Sequence, residues 1–186
     1  MEEKERYNLY KDFYKHELAV RSELDSAVNT PIVLISAIVG LHVYIFSKPL
    51  DECTRKILTY IAVLNAGFIL IAIYYLGRSF TNLGRSYDYD HIPGINEYHS
   101  HYKTLEEKKQ TEHFTLQISE KFAEAAGKNF NVNKDRREAL ASAKRSLFWG
   151  VVFSLTFTFI FIININKMAD NESPKDGGSK DNGTQN

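Results

Sequence analysis

Apolar residues are distributed unevenly along the chain, and three stretches carry no Asp, Glu, Lys or Arg. They are PIVLISAIVGLHVYIFS at 31–47, ILTYIAVLNAGFILIAIYYLG at 57–77 and LFWGVVFSLTFTFIFIININ at 147–166. Their lengths are 17, 21 and 20 residues. A helix needs about 20 apolar residues to cross the hydrocarbon of a bilayer, with about 17 as the lower end of the range. A core helix of a soluble domain would show a polar face at a period of 3.6, and none of the three does. Aromatic side chains gather towards the ends, at Tyr44, Phe46, Tyr60, Tyr74, Tyr75 and Trp149, as at a membrane–water boundary. Asn29 and Thr30 before Pro31 read as a cap and a first-turn proline opening the first span. The pattern predicts three transmembrane helices.

The remaining segments are polar but patterned. In YNLYKDFYKHELAVRSELDSAV, residues 7–28, Tyr7, Tyr10, Phe13, Tyr14, Leu24 and Val28 fall near one helical face. Glu17 and Arg21 interrupt that face and are spaced to pair with each other at i, i+4. Such a helix either packs on the rest of the chain or lies on a membrane surface. Its acids match its bases, which favours packing, since a surface helix is more basic. Phe114, Ile118, Phe122 and Ala125 predict a helix over 104–128. NFNVNKDRR then supplies Asn131 and Asn133 as turn or capping candidates. A second helix, with Ala139, Leu140, Ala143 and Leu147 on its apolar side, runs on into the third span. Gly84, Pro93 and Gly94 break the stretch between the second span and these helices. The expected fold is therefore an all-α membrane protein with three transmembrane helices and a cytoplasmic helical bundle continuous with the last span. Its divisions are an N-terminal amphipathic helix (1–30), the first span (31–47), a short external loop (48–56), the second span (57–77), a cytoplasmic helical region (78–146), the third span (147–166) and an external tail (167–186).

Charge decides the orientation. Lys and Arg number five before the first span, three in the first loop, twelve in the middle region and three in the tail. Three spans put the first and third of these regions on one side, seventeen positives against six. The positive-inside rule assigns that side to the cytoplasm of an inner, plasma membrane, leaving the C-terminus outside. The tail ends in ESPKDGGSKDNGTQN, a composition of disordered chains. A net charge of zero and the lack of a basic, aromatic-interleaved stripe argue against direct nucleic-acid binding. The single cysteine, Cys53, excludes an internal disulfide, and the charged first thirty residues do not read as a signal peptide.

Polar groups inside the spans carry the candidate chemistry. His42 lies about five residues, ~8 Å of helical rise, from the outer end of the first span. Asn65 lies eight residues into the second span. Polar groups in lipid need partners or water, so these two either bond each other across a helix pair or line a polar path. Ser36 with Gly40, and Ala62 with Ala66, make small-xxx-small pairs that mark helix-packing faces within or between chains. Ser154, Thr156 and Thr158 can satisfy themselves on their own helix backbone. Asp88, Asp90, His91, His99 and His101 crowd into fourteen residues as a possible ligand cluster, although no helical or cysteine spacing enforces a shared site. Arg85 and His91 share the R-x5-H spacing of HEPN-class nucleases, but a Tyr-Asp-rich turn and a proline stand where that motif has a helix. No side chain is set up as a nucleophile and no glycine loop cradles phosphate, so neither an enzyme nor a cofactor is expected.

YNLYKDFYKHELAVRSELDSAVNTPIVLISAIVGLHVYIF resembles the charged helix leading into the first span of small bacterial membrane proteins found near anti-phage systems. KFAEAAGKNFNVNKDRREALASAKRSLFWGVVF is similar to the Asn- and Arg-bearing helix that enters their last span. These are effectors associated with retrons and cyclic-oligonucleotide signalling, similar to the SLATT group. The resemblance implies an effector held quiet by a partner and released to damage the cell's own membrane, and it carries over no catalytic residue. The expected partners are the lipid bilayer, further copies of the chain and a cytoplasmic regulator. The competing class is a non-enzymatic scaffold that recruits a cytoplasmic partner to the membrane.

Overall fold

A computed structural model describes residues 3–80, 88–92, 95–107 and 114–172, and among these the chain is helical without strands. The five helices are α1 (Glu3–Ala27), α2 (Asn29–Phe46), α3 (Glu52–Phe80), α4 (Ile95–Glu107) and α5 (Phe114–Glu172). Three helical stretches, Glu3–Phe46, Glu52–Phe80 and Phe114–Lys167, are long and apolar enough to cross a membrane. Only 22%, 22% and 28% of their most apolar windows are buried inside the protein, so most of each apolar surface faces outward. Outward-facing Val33, Val63, Leu70, Leu155 and Phe159 are what a bilayer, and not water, accommodates.

Several boundaries differ from expectation for local reasons. Asn29 and Thr30 do not cap a new helix. Val28 alone separates α1 from α2, its own backbone is helical at φ −75° and ψ −25°, and no side-chain cap bond is made there. Pro31 still falls in the first turn, where its missing N–H costs no hydrogen bond. Helix α3 begins at Glu52, five residues before the apolar run, because Asp51 Oδ1 accepts the Thr54 backbone N–H at 2.9 Å as an N-cap.

The largest correction concerns the middle region. No single straight helix joins α4 to α5, because His101 on α4 bonds Gln117 on α5 at 2.8 Å, and sixteen residues of one helix would set them about 24 Å apart. No turn follows at NFNVNKDRR either. Helix α5 continues for 59 residues, about 88 Å of rise. Asn131 and Asn133 are interior helical positions, Asn131 exposed and Asn133 fully buried.

Helix α5 is the spine of the molecule. Helix α3 packs along it, α1 lies against its first half, α2 touches its second half, and α2 and α3 scarcely meet. The pairs Arg136–Ser79, Asn65–Ser154 and Thr54–Asn164 show that α3 and α5 run antiparallel. One apolar cluster (Val20, Leu24, Val28, Leu76, Leu140, Ala143) forms where α1, the start of α2 and the end of α3 converge on α5. A second (Ile45, Leu58, Phe157, Phe161) closes the far end of the spans. Tyr7 and Tyr14 meet Phe122 edge-on, with ring centroids 5.6 and 5.7 Å apart, and fix α1 on α5.

Candidate functional site

The buried face of α5 repeats at steps of three and four. Ala125, Asn129, Asn133, Arg136, Leu140, Ala143, Leu147, Gly150, Ser154, Phe157, Phe161 and Asn164 all lie on it and are all buried. Polar members interrupt this stripe at three levels, and each level ties α5 to other elements.

The middle level lies within the apolar spans. Asn65, fully buried on α3, donates from Nδ2 to Ser154 Oγ at 2.7 Å and lies 3.3 Å from His42 Nε2. The imidazole also bonds the Ile38 backbone one turn back, so Nε2 serves as the acceptor for Asn65. Its ring stands edge-on to the fully buried Phe157, centroids 4.3 Å apart. One amide thus joins all three spans. Asn65 Oδ1 is buried without a hydrogen-bond partner and faces Gly150, where an added Cβ would lie 3.2 Å away. Glycine gives the amide room at this crossing, since a Cβ would press on it and make it shift by a few tenths of an ångström. His42 and Asn65 are therefore brought together. Ser154 joins them instead of bonding its own backbone, while Thr156 and Thr158 bond the carbonyls of Val152 and Ser154.

The small-residue pairs do not form close crossings within this chain. Ser36 is exposed and donates to the Ile32 carbonyl, and Gly40 has open space where its Cβ would be. Ala62 and Ala66 line an open groove of about 490 Å³ between α2 and α3, with His42, Val39 and Val43.

At the third level, Asn164 donates from Nδ2 to Asp51 Oδ2 and, at 3.1 Å, to Thr54 Oγ1. These bonds anchor the α2–α3 loop on the end of α5. The Thr54 hydroxyl and backbone N–H, with help from Asn164, hold the Asp51 carboxyl below its ordinary pKa.

The first level, in the half of α5 against α1, is the most elaborate. Arg136 is only 3% exposed. Its Nε donates to the Ser79 carbonyl at 2.7 Å, one terminal nitrogen to the Tyr89 hydroxyl at 2.8 Å and the other to Asp25 Oδ1 at 2.5 Å. Burial works against the guanidinium charge, but bonds from Asp25 and Tyr89 outweigh it and raise the pKa above the ordinary arginine value. Ser79 Oγ returns a bond to the Arg136 carbonyl. Asn133 accepts from the Tyr89 hydroxyl and donates to both the backbone carbonyl and the carboxylate of Glu17. Asn129 grips the backbone of Asp90 through both of its amide atoms. Lys128 pairs with Asp90 and Glu124 at 3.0 Å each, and these contacts, Asp90 first, hold its ammonium above the ordinary lysine value.

This network overturns the proposed Glu17–Arg21 pair. Glu17 turns inward to Asn133, while Arg21 lies 4.4 Å over the Tyr89 ring. It also dissolves the ligand cluster. Asp90 is spent on Lys128 and Asn129, His101 bonds Gln117 from α4, and Asp88, His91 and His99 are exposed. Among the described residues no three His, Cys, Asp or Glu side chains are grouped to hold a metal ion. Arg85 lies outside the described residues. Sequence reasoning missed Arg136, Asn129 and the role of Asn133. Their signal was present, as polar residues in step with an apolar stripe. Comparison with known proteins brings no match, whether to a family model, a curated protein or a solved structure.

Proposed function

We propose that this chain is an inner-membrane effector of a bacterial anti-phage defence system. When triggered through its cytoplasmic helices it oligomerises and permeabilises the membrane. The observation that carries the reading is the unbroken α5, which joins the Arg136 network at one end to the Ser154–Asn65–His42 contact 18 residues, ~27 Å, further along. A change in how α1 and the Tyr89 segment hold α5 then alters how α5 sits against α2 and α3. Three helices enclose no aqueous path, so a leak requires several copies, and His42 and Asn65 supply its polar wall once α5 shifts. The orientation rests on the excess of Lys and Arg before the first span and between the second and third, which sets those regions in the cytoplasm. The anti-phage setting rests on the resemblance of the two ends of the chain to such effectors.

The test is induction in bacteria with a voltage-sensitive dye. The untriggered wild type is expected to hold its potential, while Tyr89→Phe, which removes a bond of the Arg136 network, is expected to depolarise cells before growth stops, an effect lost when His42→Leu and Asn65→Leu are added. Full potential at verified membrane expression of Tyr89→Phe contradicts the reading. A second reading, a membrane scaffold, is favoured by exposed Leu9, Phe13 and Phe130 beside an α1–α5 groove of about 440 Å³. A scaffold keeps its activity when all three spans are exchanged for unrelated ones, and an effector does not.

A further inference from the structure

Residues 88–92 cross the seam between α1 and α5, and what fastens them is polar. Asp90 is bound through its backbone by Asn129 and through its carboxylate by Lys128. The Ile92 N–H reaches the Tyr14 hydroxyl at 3.5 Å. The Tyr89 ring lies between two guanidinium groups, Arg21 at 4.4 Å and Arg136 at 5.9 Å from its centroid. Its hydroxyl donates to Asn133 at 2.5 Å and accepts from Arg136 at 2.8 Å. None of the five residues is buried, with Asp88 and His91 exposed and the others half-buried. Little apolar area therefore holds the segment, and water can replace most of its own bonds on release.

The groups it covers are different. Asn129, Asn133 and Arg136 lie at or below 3% exposure on an otherwise apolar stripe. The same side chains bind Glu17 and Asp25 of α1 and the Ser79 carbonyl at the end of α3. Without the Tyr89 hydroxyl, Asn133 Oδ1 and one arm of Arg136 lose their partner. A buried polar group left unpaired is costly until water reaches it.

We propose that residues 88–92 form a releasable strap that clamps α1 to α5 over Arg136, with the Tyr89 hydroxyl as its catch. Release of the strap admits water to the polar stretch of α5 and frees α1, while the apolar α3–α5 seam stays closed. That the freed bundle then acts on the spans rests on the effector reading. The opening of the strap does not.

Hydrogen–deuterium exchange of the full chain in lipid nanodiscs tests this, comparing wild type with Tyr89→Phe and Asn129→Ala. Both variants are expected to exchange about tenfold faster over 88–92 and 17–27, with 58–76 of α3 unchanged. Two results overturn the proposal: rates within about twofold of wild type in both variants, or equal acceleration that includes α3. The second would make the segment part of one cooperative unit and not a strap. Both variants are then induced in cells with the voltage dye. Strap opening without depolarisation leaves the strap intact as a device and counts against the effector reading.

Discussion

Arg136 is the side chain on which most of the bundle depends. A single guanidinium serves the end of α3, the Tyr89 segment and α1, at three angles that match its planar fork. Arg136→Leu is expected to destabilise the fold by about 2–4 kcal/mol, because Asp25, Tyr89 and the Ser79 carbonyl all lose a donor. Arg136→Lys should recover less than half of that, since one ammonium cannot span three directions. Thermal unfolding in detergent, calibrated by denaturant, measures both. Asn65 is the corresponding residue in the spans. Asn65→Leu leaves Ser154 and His42 without their shared donor, and polar contacts between membrane helices contribute about 0.6–1.7 kcal/mol. Asp51 gives the pH dependence its sign. Its folded pKa lies below the ordinary carboxylate value, so its hold on Thr54 and Asn164 is complete above that value. The hold is lost as pH falls through the depressed folded pKa. Exchange at the start of α3 should therefore quicken only on acidification below the carboxylate range, and Asp51→Asn should abolish that response.

At the scale of elements, α5 and α3 form an antiparallel pair whose contacts recur at steps of three and four, as in a coiled coil. Gly150 lies on α5 directly against Asn65 of α3. Gly150→Ala brings a methyl to 3.2 Å from Asn65 Oδ1, so the amide must give by a few tenths of an ångström, which loads its bond to Ser154. The expected cost is about 1–2 kcal/mol, and it should shrink in an Asn65→Ala background, an interaction that a double-mutant cycle reads directly. The apolar spans were legible because 17 to 21 uncharged residues in a row have few other uses. The course of α5 was not, because Asn131 and Asn133 suit a turn as well as a helix by local preference. What fixes the helix there is distant in sequence: Glu17 lies 116 residues from Asn133, and Tyr89 lies 44 from it. The same distance hid the partners of Glu17 and Arg21, whose i, i+4 spacing suggested a local pair. His42 and Asn65 could be singled out as polar residues in lipid, but their link through Ser154 needed the register of α5 against α3. The small-residue pairs marked packing faces within or between chains, and their spacing alone does not say which face is covered or by what.

In the whole molecule, one continuous helix, α5, joins a polar clamp to an apolar bundle. Its orientation is testable with Cys53, the chain's single cysteine, exposed next to the α2–α3 loop. In intact cells stripped of their outer membrane, a membrane-impermeant maleimide should label Cys53. Labelling that appears only after lysis would invert the topology. Mechanical coupling along α5 is tested by loosening the helix between its two polar centres. Three glycines inserted after Lys144 make the connection between the Arg136 network and the Ser154 contact flexible, and both contacts with α3 keep their register only where the three residues loop out of α5. Membrane potential is then followed on induction of Tyr89→Phe with and without the insertion. The account predicts rapid depolarisation by Tyr89→Phe and a stable potential when the glycines are present, at equal membrane expression. Depolarisation that persists through the flexible linker, or that never occurs, would contradict it.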